Sequence, residues 1–192
     1  MKLLTLSLLA LATAASVAAQ KVKVIDGDIK ALEGQASVNT KFDYAGLTIG
    51  KKNIRDADYI ATRKAELNDK KPGSGDTWAK AWVDDRQSRF EPRFDETFAK
   101  LSGMSVDNKG KYTLIVKLLN LEPGAAVGFK TSAELDAEVW VVESANPGNV
   151  VAKISITNAP GNMIGAGMDT GIRIQESYAT AARGLARLIK KA

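Results

Sequence analysis

Ala133-Glu134-Leu135-Asp136-Ala137-Glu138-Val139-Trp140-Val141 alternates apolar and polar side chains with a period of two. Successive side chains of a strand point to opposite faces of a sheet, so this spacing predicts a half-buried strand with Leu135, Ala137, Val139 and Val141 inward. Downstream, Asn146-Pro147-Gly148-Asn149 is a turn signal, and Val150 to Thr157 follows as a partner strand. If Asn146 opposes Asn149, then Val141 meets Ile154 and Val139 meets Ile156, all on the buried face. A proline suits a tight two-residue hairpin poorly, because the favoured turns are the primed types, but a longer loop of even length keeps the same parity. Upstream, Tyr112, Leu114, Val116 and Leu118 alternate with Thr113, Ile115, Lys117 and Leu119. Apolar residues on both faces predict a central strand there.

The flanks are helical and turn-rich. Ile174, Tyr178, Ala181, Leu185 and Leu188 step by four, three, four and three, which predicts a long amphipathic C-terminal helix, and Lys190 and Lys191 suit the negative pole of its dipole. Residues 56 to 68 predict another helix, with Asp56 as its cap and Tyr59, Ile60 and Leu67 on its apolar edge. After Lys71-Pro72-Gly73-Ser74-Gly75, Asp76 stands where an N-cap belongs, ahead of Trp78, Trp82, Phe90, Phe94 and Phe98. Steps of four drift by about 40° each around a helix of 3.6 residues per turn, so the stripe winds about 200° in total. Pro92 also lacks the N–H that an internal turn needs, which predicts a break or kink near Phe90 to Pro92 and two helical segments.

Before residue 50 the pattern is strand-like. Val22 and Val24 alternate, Asp26-Gly27 signals a turn, and Ile29 and Leu32 precede Gly34. Phe42 and Tyr44 share one face while Leu47 and Ile49 have the opposite parity, so one extra residue at Ala45-Gly46, a β-bulge, is expected to restore the phase. Strands and helices do not alternate strictly. The fold class implied is α+β: a mostly antiparallel sheet with amphipathic helices packed on it, in a single domain over residues 20-192.

Residues 1-19 carry the pattern of a signal peptide: Lys2, the apolar run Leu3 to Ala12, and Val17-Ala18-Ala19 before Gln20. No later stretch approaches the roughly 20 apolar residues that a bilayer requires. A periplasmic or secreted protein with no transmembrane segment after cleavage is therefore expected. Cysteine is absent, which excludes disulfides and a thiol for a lipid anchor; histidine is absent, which excludes His-based triads and the commonest zinc ligand. Lys and Arg number 27 against 22 Asp and Glu. That excess is interspersed rather than gathered into a basic stripe, so no nucleic acid is expected as a partner.

The most residue-specific stretch runs from Gly73 to Phe94. Arg86 lies four after Trp82 and Arg89 four after Asp85, which makes cation–π stacking and an ion pair geometrically available. Trp78, Trp82, Arg86 and Arg89 are thus candidate ligand-binding residues for a sugar or an anionic glycan, although the same stripe suits a helix packed on the sheet with its charges in water. Gly165, Gly167 and Gly171 precede a helix N-terminus and form a candidate anion-binding loop; the spacing is GxGxxxG, not the dinucleotide fingerprint, and no Walker A sequence occurs. Glu134, Asp136 and Glu138 share a strand face, but a flat ladder does not converge on a cation as calcium requires. No metal and no cofactor is expected.

The motifs Phe42-Asp43-Tyr44, Asp58-Tyr59-Ile60, Gly75-Asp76-Thr77-Trp78 and Arg89-Phe90-Glu91-Pro92-Arg93-Phe94 resemble a family of uncharacterised exported proteins from Bacteroides-type Gram-negative bacteria, over most of the chain beyond the leader. More loosely, the strand-rich middle, glycine-rich loop and terminal helix are similar to small envelope domains that accompany outer-membrane assembly or transport machinery. The resemblance implies an envelope setting and carries over no catalytic residue. The reading of the sequence is an exported, non-catalytic module that binds a partner protein or a glycan of the envelope. The alternative is a carboxylate-based hydrolase acting on a glycan through the 76-96 segment, where Asp84, Asp85, Glu91, Asp95 and Glu96 are available.

Overall fold

A computed structural model describes residues 20–125, 131–161 and 169–192. The leader expected over residues 1–19, and Gly165 and Gly167 of the glycine-rich loop, lie outside the described residues. In chain order the elements are β1 (Lys21–Gly27), β2 (Ser37–Asp43), β3 (Thr48–Ile49), β4 (Ile54–Arg55), α1 (Asp56–Lys70), α2 (Ser74–Asp85), a π-helical segment (Arg86–Phe90), α3 (Glu91–Ser102), β5 (Ser105–Val106), β6 (Tyr112–Glu122), β7 (Ala133–Glu143), β8 (Asn146–Gly161) and α4 (Thr170–Ile189). The strands form one sheet in the order β1-β8-β7-β6-β2-β5, with β3 continuing beside β6 and β4 paired to β3. The fold is α+β. The pairs β1·β8, β8·β7, β7·β6 and β3·β4 are antiparallel, while β2 and β3 lie parallel to β6 and β5 parallel to β2.

One face of this sheet is dry. Leu114, Val116 and Leu118 of β6, Leu135, Val139 and Val141 of β7, and Ile154 and Ile156 of β8 are buried against Phe94 and Phe98 of α3 and Ile174, Tyr178 and Leu185 of α4. Each such side chain contributes about 1.5–3 kcal/mol by leaving water. The other face is mixed: it carries Lys117, Glu138 and Lys153, but also Ile115, Trp140 and the buried Val142. There the Trp140 ring lies under the ammonium groups of Lys117 at 4.5 Å and Lys153 at 5.2 Å, and its Nε1 donates to Glu138. At the margin stands β1, which among the described strands pairs with β8 alone and slips register between Val24 and Asp26.

The hairpin keeps its predicted parity but not its register. Val139 pairs with Ile154, Ala137 with Ile156 and Val141 with Ala152. The expected pairing is displaced by two residues because the chain reverses at Ser144-Ala145, with Glu143 opposite Asn146. Proline cannot take the positive φ of a primed turn, so Pro147-Gly148-Asn149 instead falls into the irregular start of β8, between the Glu143↔Asn146 and Val142↔Val150 pairs.

Three other expectations change in form. At Ala45-Gly46 the chain makes a turn between β2 and β3 rather than a one-residue bulge: Asp43 pairs with Lys117 and Thr48 with Asn120, so four intervening residues on one side face two on the other. The Asp43 carboxylate accepts from Ala45 N–H and thereby shapes this turn. Asp56 is the first residue of α1, not its cap, and its side chain turns away to α2. Asp76 likewise lies inside the first turn of α2, where it pairs with Lys64 of α1 at 2.7 Å.

The aromatic stripe is straightened by insertion rather than by a clean break. Over Arg86–Phe90 the backbone adopts π-helical bonding, with Glu91 N–H reaching Arg86 O. One residue inserted into an α-helix offsets about 100° of phase, which cancels about half of the drift along the stripe. Pro92 then falls in the first turn of α3, where its missing N–H costs little. The peripheral α1 has no fully buried residue and packs on α2, an approach so close at Gly75 that a Cβ would lie 2.0 Å from Lys64 O.

Candidate binding site

The stripe meets two different environments. Its upstream end packs Trp78, Trp82 and Tyr59 of α1 into one cluster, with ring centroids 5.4 Å apart for the two indoles and 5.9 and 5.3 Å from Tyr59 to Trp78 and Trp82. Trp82 is only 9% exposed, and its Nε1 donates to Asp56 Oδ1 at 3.0 Å. The other oxygen of Asp56 accepts from Arg86 at 2.6 Å, in a pair whose side chains are 16% and 15% exposed. The Arg86 guanidinium covers the Tyr44 ring at 4.5 Å; it stacks there rather than on Trp82 as its spacing suggested, since Asp56 draws it away from α2.

Tyr44 extends this chain inward. Its hydroxyl donates to Glu91 Oε1 at 3.0 Å and lies 3.5 Å from the hydroxyl of Tyr178 on α4. Burial pushes the Tyr44 phenol far above its ordinary range, with the neighbouring Tyr178 and Glu91 adding to it, and burial likewise raises Tyr178. Both phenols therefore stay protonated, and the network from Trp82 to Tyr178 is a satisfied brace between helices and sheet.

Trp78 is different. It is half-buried and lines a groove of about 370 Å³ together with Tyr59, Ile54, Arg63, Glu66 and Pro123. Among the described residues neither Trp78 Nε1 nor Tyr59 Oη has a hydrogen-bond partner. Beside the rings, Arg63 and Glu66 form an exposed pair at 2.9 Å. A second groove of about 350 Å³ adjoins the first and shares Ile54, Tyr59, Pro123 and Gly124 with it; Lys51, Lys52 and Glu122 line its far part. The elements meeting here are the start of α1, the start of α2 and the end of β6, so the seat lies at one end of the sheet.

Of the four candidates on the aromatic helix, then, Trp78 alone lines a groove among those described. Trp82 and Arg86 belong to the brace. Arg89 pairs with Asp85 as its spacing predicts, at 3.1 Å, and also reaches Asp169 at 3.2 Å, clasping the start of α4. Gly171 lies in the first turn of α4, where a Cβ would stand 2.4 Å from Arg89 Nη1, so its small size admits that clasp. Asp169 caps the same turn by accepting from Ile172 N–H, which places a carboxylate of the chain itself where an anion would sit.

The carboxylates proposed for hydrolysis are dispersed. Asp84 pairs with Lys80, Asp85 with Arg89, Glu91 with Tyr44 and Glu96 with Arg93. Asp95 is held up to about 6 by burial, with a Thr40 hydrogen bond opposing this and Glu91 adding to it; the residue is half-buried, and its Oδ1 is buried without a partner. None of these residues lines the two grooves beside Tyr59, the one beside Tyr44 or the one beside Ile29. On the strand face, Asp136 accepts from Asn158 N–H and Glu138 from Trp140. No group of three or more acidic residues among those described is placed to hold a metal ion.

Tyr44, Asp56 and Tyr59 were legible only as strand, cap and helix-edge residues. Their roles arise from contacts 19 to 134 positions apart, which no local spacing encodes. Compared with protein-family models, curated proteins and solved structures, the chain finds no match in any of the three.

Proposed function

We propose that the protein is an exported, non-catalytic module of the cell envelope whose ligand seat is the Tyr59–Trp78 groove. The observation that carries this reading is a half-open aromatic wall, Tyr59 of α1 and Trp78 of α2, whose two polar atoms have no partner within the described chain, next to the fully paired indole of Trp82. Neither atom is among the buried unpaired polar atoms of the described residues, so both reach water, and the hydroxyls of a ligand can take that water's place. Export is supported by the leader pattern of residues 1–19 and by the likeness to exported proteins; no helix among the described residues is long and apolar enough to cross a membrane. A non-catalytic role is supported by the missing imidazole and thiol and by the pairing of Asp84, Asp85, Glu91 and Glu96 away from the grooves.

Affinity capture from the native envelope tests the seat. The purified protein is expected to retain an envelope component that Trp78→Ala loses while keeping the native fold by circular dichroism. Capture indifferent to Trp78, or hydrolysis of a glycan, ester or phosphate panel that is lost on carboxylate substitution, would sink the reading. N-terminal sequencing tests export: the mature chain is expected to start at Gln20 outside the cytosol.

A further inference from the structure

We infer that the two adjoining grooves form one elongated site for a neutral oligosaccharide, with one sugar ring seated on Trp78 and Tyr59 and the next lying toward Lys51, Lys52 and Glu122. This rests on the Tyr59–Trp78 groove being the ligand seat. Each groove alone, at about 370 and 350 Å³, is at the small end for a ligand pocket, but they share Ile54, Tyr59, Pro123 and Gly124 and so present a continuous trough. A trough along a shared wall suits a linear chain of rings better than one compact molecule.

The chemistry of the wall selects the sugar. A pyranose has one apolar C–H face, which packs on an aromatic ring, and a rim of hydroxyls that each donate and accept. Trp78 supplies the ring and an unmet N–H, Tyr59 an unmet hydroxyl that both donates and accepts, and the Arg63–Glu66 pair sets donors and acceptors side by side. Burial holds the Tyr59 phenol above its ordinary value, so the hydroxyl keeps its proton. The charges bordering the trough nearly cancel: Arg63 against Glu66, and Lys51 and Lys52 against Glu122. An anionic polymer would find little net attraction there. A peptide fares no better, since the bordering β4 is two residues long, too short to hold an extended chain through main-chain ladder bonds.

Calorimetric titration of the purified protein with neutral gluco-, galacto- and N-acetylhexosamine oligomers of increasing length, followed in parallel by tryptophan emission, tests the assignment. At least one series is expected to bind, with the dimer or trimer tighter than the monomer by roughly tenfold. Trp78→Ala is expected to weaken binding by about tenfold or more, and Tyr59→Phe, which keeps the ring and the packing, by a few-fold. The double variant Lys51→Ala/Lys52→Ala should leave the monomer affinity in place and remove the gain from the second ring. Absence of Trp78-dependent binding across the whole series overturns the saccharide assignment. If envelope capture still depends on Trp78 in that case, the seat stands and its ligand is of another class; if capture is also indifferent to Trp78, both fall.

Discussion

Trp78 and Trp82 stand one turn apart on the same helix with their rings in contact, and they live in opposite chemical settings. Around Trp82 every polar group has a counterpart: indole to Asp56, Asp56 to Arg86, Arg86 over Tyr44, Tyr44 to Glu91. Trp78 lines a groove, and among the described residues its Nε1 and the Tyr59 hydroxyl have no protein partner. The difference teaches that a stripe of aromatics can serve as core and as recognition surface within four residues. The deciding factor is what the rest of the chain brings alongside: Asp56 accepts from the Trp82 indole, while among the described residues no side chain accepts from that of Trp78.

Substitutions that break the contrast are expected to grade in effect. Asp56→Ala removes one partner of a largely buried ion pair and strands the Trp82 N–H, so urea unfolding should show a loss of about 3 kcal/mol. Tyr44→Phe deletes a hydrogen bond to a carboxylate and should cost about 2 kcal/mol in the same measurement. Asp95→Asn sharpens the comparison through pH. Its carboxyl is raised from 3.8 to about 6, so the native state holds its proton more tightly than the unfolded chain. Stability from this group is therefore complete below pH 3.8 and declines as pH climbs toward 6. The Asn variant should match the parent near pH 4 and exceed it near pH 8 by about 1 kcal/mol, a value discounted for the solvent that still reaches the residue. Tyr59→Phe, whose hydroxyl has no partner to lose, should move the unfolding midpoint by less than about 0.5 kcal/mol. A destabilisation by Tyr59→Phe as large as that of Tyr44→Phe would erase the distinction between the two regions.

How far the sequence reveals this arrangement depends on the range of the interaction. Period-two alternation at Leu135 to Val141 and at Val150 to Thr157 specifies which face is buried, because parity is a local property. Register is not: the Pro-Gly signal at Pro147-Gly148 pointed to a reversal three residues beyond the real one, and the pairing moved by two. The drift of the aromatic stripe marked the region around Phe90 and Pro92 correctly as irregular, yet a kink and an inserted residue solve the same phase problem and only coordinates separate them. The four-residue step from Trp82 to Arg86 suggested stacking between them, while the actual partners, Asp56 and Tyr44, come from elements 30 and 42 residues upstream, respectively. The trough is illegible in the sequence for the same reason, since Tyr59, Trp78 and Pro123 converge from three separate parts of the chain.

The strand at the margin of the sheet has a bearing on how the molecule behaves in a crowd. Lys21 and Lys23 project from β1 onto its exposed side, and the slip at Ile25 bends the ribbon before Gly27. A second copy trying to extend the ladder antiparallel would bring ammonium against ammonium along a curved rim. Concentrated solutions should therefore resist fibril growth from this end, and neutralising both lysines would expose the hazard they suppress.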